Sequence, residues 1–294
     1  MTKRVSESHF YVAAAARFRD LIYVLARDKG LEQRDVEHSR FIGFYRGELG
    51  HIGDRNWRAV DLCVATKPDE RMVAIGEDGQ VLTYVGGAVS EETIKEAPVA
   101  LRGVGVVDGF AWACGMKRQT YQRVGEGDWR SLHAPPPSEG ENAGFEDIAG
   151  YSSNEMYAVG WNGEVWEWNG NSWVHRATPT NAILTSVCCG HDGNVYVCGQ
   201  RGTLLCGRHD RWDLIEDEEV VEDLWSVVWF ADHVYLASMS ALYILDGNTL
   251  QPVRFEVEER PTSFYKLTQA HGVLWSVGPA DVFALEDGVW TRID

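Results

Sequence analysis

The residue types that could do chemistry are present in this chain, but their spacing is not that of a reactive site. Nine His include no His-x-x-x-His or other paired metal spacing. His191 and His209 each precede an acid, in His191-Asp192-Gly193 and His209-Asp210-Arg211. Both dipeptides fall in turns, where Asp bonds local backbone N–H groups. The six Cys (Cys63, Cys114, Cys188, Cys189, Cys198 and Cys206) show no Cys-x-x-Cys zinc spacing. Most lie in predicted strands as small buried thiols, and Cys189, Cys198 and Cys206 are the one set that neighbouring strands would bring together. Gly103-Val104-Gly105 sits on a strand and lacks the following helix of a phosphate site. A lactonase-like site would need carboxylates and amides converging on a metal, and Glu77, Asp78, Asn162 and Asp281 are the available set. The expectation is therefore no catalytic residue, no metal and no cofactor, with a lactonase-like or lyase-like enzyme as an alternative.

The elements that carry these residues follow a repeat. A short apolar strand ends in Gly at Gly76, Gly115, Gly160, Gly199 and Gly278, with Ser238 standing in for Gly once. The steps are 39, 45, 39, 39 and 40 residues. A period of about 40–50 residues with several strands per unit marks a propeller. The clearest unit runs from Phe145 to Thr178. Its strands are Phe145–Gly150, Met156–Val159, Glu164–Trp168 and Ser172–Arg176, and Asn162-Gly163 is a two-residue hairpin turn. Trp129, Trp173, Trp212 and Trp290 recur 14, 13, 13 and 12 residues after the marker Gly, as wedges between neighbouring sheets.

The first unit is degenerate. Phe10–Ala15, Asp20–Ala26 and Arg40–Tyr45 read as its strands. Ala13 to Ala16 also favour a helix over Phe10–Ala26, so the two readings compete. Circular closure from Gly278 through the chain end to Ala26 takes 42 residues, one further period. The expected fold is all-β: a single seven-bladed β-propeller of four-stranded antiparallel blades, inside the usual range of about 4–8. The blades span approximately 8–53, 54–98, 99–141, 142–180, 181–220, 221–259 and 260–294.

In such a ring the second-to-third turns share one face with the blade-to-blade links. The insertions Asp28–Ser39, Ala134–Gly144 and Glu216–Asp223 all map there, as expected of a binding surface. Trp161, Arg201, Lys117 and Arg118, in the turns, are contact candidates, since Trp and Arg are enriched at binding hot spots. Glu216, Asp217, Glu218, Glu219, Glu222 and Asp223 form an acidic link and complete the candidate set.

The run from Ala158 to Trp173, with Trp161-Asn162-Gly163 and Asn169-Gly170-Asn171 between its strands, resembles bacterial propellers of the WD-like and BNR-like repeat group. Related repeats occur in photosystem assembly factors and sialidase-like propellers. The resemblance covers about six of the seven units and implies fold, not activity. The sialidase Asp-box is absent, since Glu77-Asp78-Gly79-Gln80 lacks its Thr-Trp end, and the Gly-His and Trp-Asp dipeptides do not recur with the period as they do in eukaryotic WD repeats.

The formal net charge of −17 favours solubility, repels nucleic acid and membrane surfaces, and attracts basic partners. The first residues lack the apolar run of a signal peptide, and no stretch approaches a membrane span, so a cytoplasmic bacterial protein is expected. The function expected is non-enzymatic protein binding: an acidic immunity-type protein that holds and neutralises a basic toxin domain. The alternative is an assembly or scaffold factor that holds a subunit of a larger complex.

Overall fold

The computed structural model describes residues 4–95 and 100–294. Each repeat folds into a four-stranded antiparallel sheet whose strands neighbour one another in chain order, and there are seven such sheets. The chain is a seven-bladed β-propeller. The first strands of successive blades pack against each other around the ring and are the inner ones: His9–Phe18, Ala59–Ala65, Leu101–Val107, Phe145–Ser152, Leu184–Cys189, Ser226–Phe230 and Lys266–Ala270.

Blade one resolves the helix–strand competition. His9–Phe18 and Leu21–Asp28 form an antiparallel pair. His9, Tyr11, Ala13 and Ala15 are buried in alternation with more open neighbours. The period is two, as in a strand. Ala propensity is outweighed because these small side chains fit the crowded inner ring, where Ala13 packs with Ala59 and Leu62 of blade two.

The apolar core divides into seven clusters, and each lies between two adjacent blades. The repeated Trp is the outer-strand contribution to four of them. Trp129, Trp173, Trp212 and Trp290 each pack against residues of the preceding blade. Burying a large aromatic there contributes on the order of 2–3 kcal/mol. The ring closes without a shared strand: blade one meets blade seven by packing of Tyr11, Ile22, Ile42 and Phe44 on Val273, Trp275 and Val282. Tyr11 N–H donates to the Pro279 carbonyl at 3.2 Å and Ala16 N–H to Thr268 Oγ1 at 3.1 Å.

Inner strands are also stitched to one another by side chains at one equivalent position. Asp61 accepts Val104 N–H (3.1 Å), Asp147 accepts Val187 N–H (2.9 Å), Ser186 accepts Val227 N–H (3.3 Å) and Ser226 accepts Leu267 N–H (3.1 Å). Each reaches from one blade to the next and satisfies an N–H on the free edge of an inner strand. Gly103 and Gly105 replace this device between blades three and four. A Cβ on Gly105 would lie 2.0 Å from the Ile148 carbonyl oxygen, so the glycines permit direct backbone approach.

Candidate functional site

Hydrogen bonds place the second-to-third turns and the blade-to-blade links on one face. Lys117 N–H donates to the Ala143 carbonyl, Trp161 N–H to that of Gly144, Gln200 N–H to that of Ile183 and Gly202 N–H to that of Glu222. Three of these turns share a tight left-handed form. Asn162 and Gly163 have φ of 60° and 71°, Arg201 and Gly202 have 57° and 68°, and Lys117 and Arg118 have 59° and 60°. Asn and Gly adopt that region readily, whereas Lys and Arg do so at a cost of about 1–2 kcal/mol.

The turn residues singled out in the sequence have different fates. Lys117 and Arg201 are exposed. The backbone N–H of Arg201 donates to Asp223 Oδ1 at 2.9 Å, which fixes the turn and leaves the guanidinium outward. Trp161 is half-buried, its Nε1–H donating to Glu146 Oε1 at 2.6 Å. Arg118 is not an exposed contact. It is 7% exposed, grips Glu164 of blade four at 2.5 and 2.7 Å, donates to the Pro135 carbonyl at 3.2 Å, and lies over the Trp166 ring. Its charge is consumed in fastening the Pro-rich link.

The acidic link divides in the same way. Asp217 accepts Leu250 N–H at 2.7 Å, tying the link to the outer strand of blade six. Glu222 accepts Tyr243 O–H at 2.6 Å and Ser240 O–H at 2.7 Å. Glu216, Glu218 and Glu219 project into solvent. A second acidic link, which no run of acids marks in the sequence, follows blade six. Val253, Phe255 and Val257 turn into the blade six–seven core, while Arg254, Glu256 and Glu258 between them are exposed. That in–out alternation is the signal that would have found it. With Glu139 and Glu141 of the link before blade four, which are also exposed, carboxylates cap this face along three separate links.

At the channel, Asp61, Asp147 and Lys266 occupy equivalent positions on three inner strands. Burial pushes both Asp carboxyls up, opposed by the nearby Lys266 charge and by the N–H donors. Burial alone would depress Lys266, but Asp61, Tyr265 and Asp147 outweigh it and hold the ammonium above the usual lysine range. Glu146 is also raised by burial, against the Trp161 hydrogen bond and Arg102 at 3.9 Å. The four residues proposed as a lactonase-like set do not converge. Asp281 is buried and holds Thr262 through N–H (2.9 Å) and O–H (2.5 Å), and the Asn162 amide donates to the Asn142 carbonyl. Among the described residues, no three His, Cys, Asp or Glu side chains are grouped to hold a metal. All six thiols are free, and burial raises each above its ordinary range, Cys189 and Cys198 to about 12.

A closed ring of seven four-stranded blades, with fixed turns and carboxylate-bearing links on one face, defines a β-propeller. Solved propellers share the architecture. The WD40 propeller domain of Doa1 has a TM-score of 0.72 at 11% identity, covering 94% of this chain and 92% of that one. A YCF48 structure bound to D1 peptide has a TM-score of 0.67 at 15% identity, covering 94% and 91%. No family model matches the sequence. A curated relative, Immune protein Tsi7 of Pseudomonas aeruginosa (strain PAO1), is 39% identical over 307 residues, covering all of both chains. The chain belongs to the Tsi7 family of immune proteins.

Proposed function

We propose that this protein is a cytoplasmic immunity protein that neutralises a basic protein toxin by stoichiometric binding through its link-bearing face. The full-length identity to Immune protein Tsi7 carries the reading. The exposed acids Glu139, Glu216, Glu218, Glu219, Glu256 and Glu258 give the face its chemistry. Such a surface speeds encounter with a cationic partner and disfavours acidic ones. Lys117, Arg201 and Trp161 stand among these acids as points of specific contact.

The mode of action is occlusion, not turnover. The test is to look for a toxin-like gene beside this chain's own and to express its product with this protein at graded ratios. Protection should rise in proportion to dose, end at one-to-one and track an isolable complex. Protection at strongly substoichiometric dose would overturn binding in favour of enzymatic inactivation. Recovery of a multi-subunit assembly instead of a toxin would favour a scaffold role.

A further inference from the structure

One position on each outer strand closes the junction with the preceding blade. It pairs across the third–outer hairpin, as in Leu285 with Trp290, Leu245 with Leu250, Tyr84 with Val89 and Phe44 with Leu49. At six junctions this residue packs into the interblade cluster: Val89, Trp129, Trp173, Trp212, Leu250 and Trp290. Leu49 is the exception. It is 52% exposed and lies outside the cluster between blades seven and one. Its strand, Glu48–Arg55, is also the longest outer strand and is largely exposed.

A groove of about 1100 Å³ is left at this seam. Its apolar lining is Val5, Phe44, Leu49 and Ile293, and Glu7 and Glu48 line it beside Arg4. Neither acid has an ion-pair partner among the described residues. Glu259 adjoins them and continues the acidic link that follows blade six, paired with Arg4 at 2.7 Å and Arg292 at 2.9 Å. The groove thus extends the proposed binding face round the rim of the ring.

We propose that the seam groove receives an aromatic side chain from a basic, extended segment of the toxin, in the place that the chain's own Trp fills at four other junctions. This rests on the toxin-binding reading above. The molecule itself shows which side chain suits such a slot, and the unpaired acids Glu7 and Glu48 set the charge of the segment that carries it.

Fluorescein-labelled Lys-Lys-Trp-Lys-Lys and Lys-Lys-Ala-Lys-Lys, followed by anisotropy, test the groove directly. The Trp peptide should bind the wild type about ten-fold more tightly than the Ala peptide, a preference worth about 1.4 kcal/mol. Leu49→Trp should abolish the preference while keeping or raising Tm. Glu7→Lys with Glu48→Lys should weaken both peptides, and this surface pair keeps the test alive if Leu49→Trp fails to fold. Equal binding of both peptides by the wild type, or a preference that survives in Leu49→Trp, overturns the proposal. A preference that appears only after deletion of residues 1–3 assigns the groove to the chain's own N-terminus and also overturns it. The same variants are then tested against the toxin. A wild-type complex that Leu49→Trp leaves unchanged sinks the groove and spares the function. Absence of any wild-type complex sinks the function, and the peptides still decide the groove.

Discussion

Arg123 of blade three grips Glu92 of blade two with two hydrogen bonds, at 2.6 and 3.1 Å, and both side chains are cut off from solvent. Trp129 Nε1–H donates to the same carboxylate at 3.3 Å, so the ion pair also anchors an interblade wedge. Removing one partner of a buried pair strands the other charge, which costs about 3–5 kcal/mol, whereas replacing both by apolar side chains is often neutral. Arg123→Ala should therefore lose about that much stability in denaturant melts. The double variant Glu92→Leu, Arg123→Met should recover most of it. Similar losses in single and double variants would show that packing volume, not charge, sets the cost.

Lys117 and Arg118 are sequence neighbours with opposite roles. Both backbones are left-handed, but only Arg118 is repaid, through Glu164 and the Pro135 carbonyl. Lys117→Gly relieves strain and should stabilise the fold by up to about 1 kcal/mol. Arg118→Gly relieves the same strain and should still destabilise it by about 3 kcal/mol, since the buried Glu164 loses its cation and keeps only the Trp166 indole N–H at 2.9 Å. Limited proteolysis should also cut the 134–144 link faster in Arg118→Gly. If the two variants melt alike, the assignment of Arg118 to the link is wrong.

The contrast between Lys117 and Arg118 shows what the sequence discloses and what it hides. Marker glycines and repeated Trp report the blades because burial and tight turns recur with the period. Even blade one, with neither device intact, was recoverable from ring closure. Which way a turn side chain points is not periodic. Arg118 and Glu164 stand 46 residues apart, close to one repeat, and such a spacing of opposite charges is the available hint of an interblade clamp. The acids on the links were visible as charge. That Asp217, Glu222 and Asp223 are tied to the adjoining blades, while Glu216, Glu218 and Glu219 are not, depends on packing that composition does not encode.

Arg208 of blade five reaches Glu155 of blade four at 2.7 and 2.8 Å. These bonds, joined by the Tyr157 hydroxyl and opposed by burial, hold the Glu155 carboxyl below its ordinary value. A depressed acid contributes stability above the unfolded value, here 4.5, and loses it as pH falls through the folded one. Glu155→Gln should cost about 1 kcal/mol near pH 7, a figure kept low because the Arg208 side chain is 35% exposed. The gap between variant and wild type should then close as pH drops below about 4.5. Urea melts across that range check it, and a gap that stays constant with pH would rule out ionisation of Glu155 as its source.

Neutralising the outward acids separates steering from structure. Glu216→Gln, Glu218→Gln and Glu219→Gln together remove three exposed charges that make no interblade bond through their side chains, so Tm should move little. If the link guides a cationic toxin, the association rate at low salt should fall by roughly ten-fold while dissociation barely changes. At high salt the two proteins should associate alike, since screening has already removed the effect. Asp217→Asn is the opposite control. Its carboxylate takes N–H bonds from Leu250 and Glu219 and is held below its ordinary value by them. That variant should lower stability and alter association only through the displaced link. Stopped-flow association at two ionic strengths, read beside thermal melts, resolves the two effects. A triple variant with unchanged rate at low salt would remove this link from the encounter surface and leave Glu139, Glu256 and Glu258 to account for any salt dependence that remains.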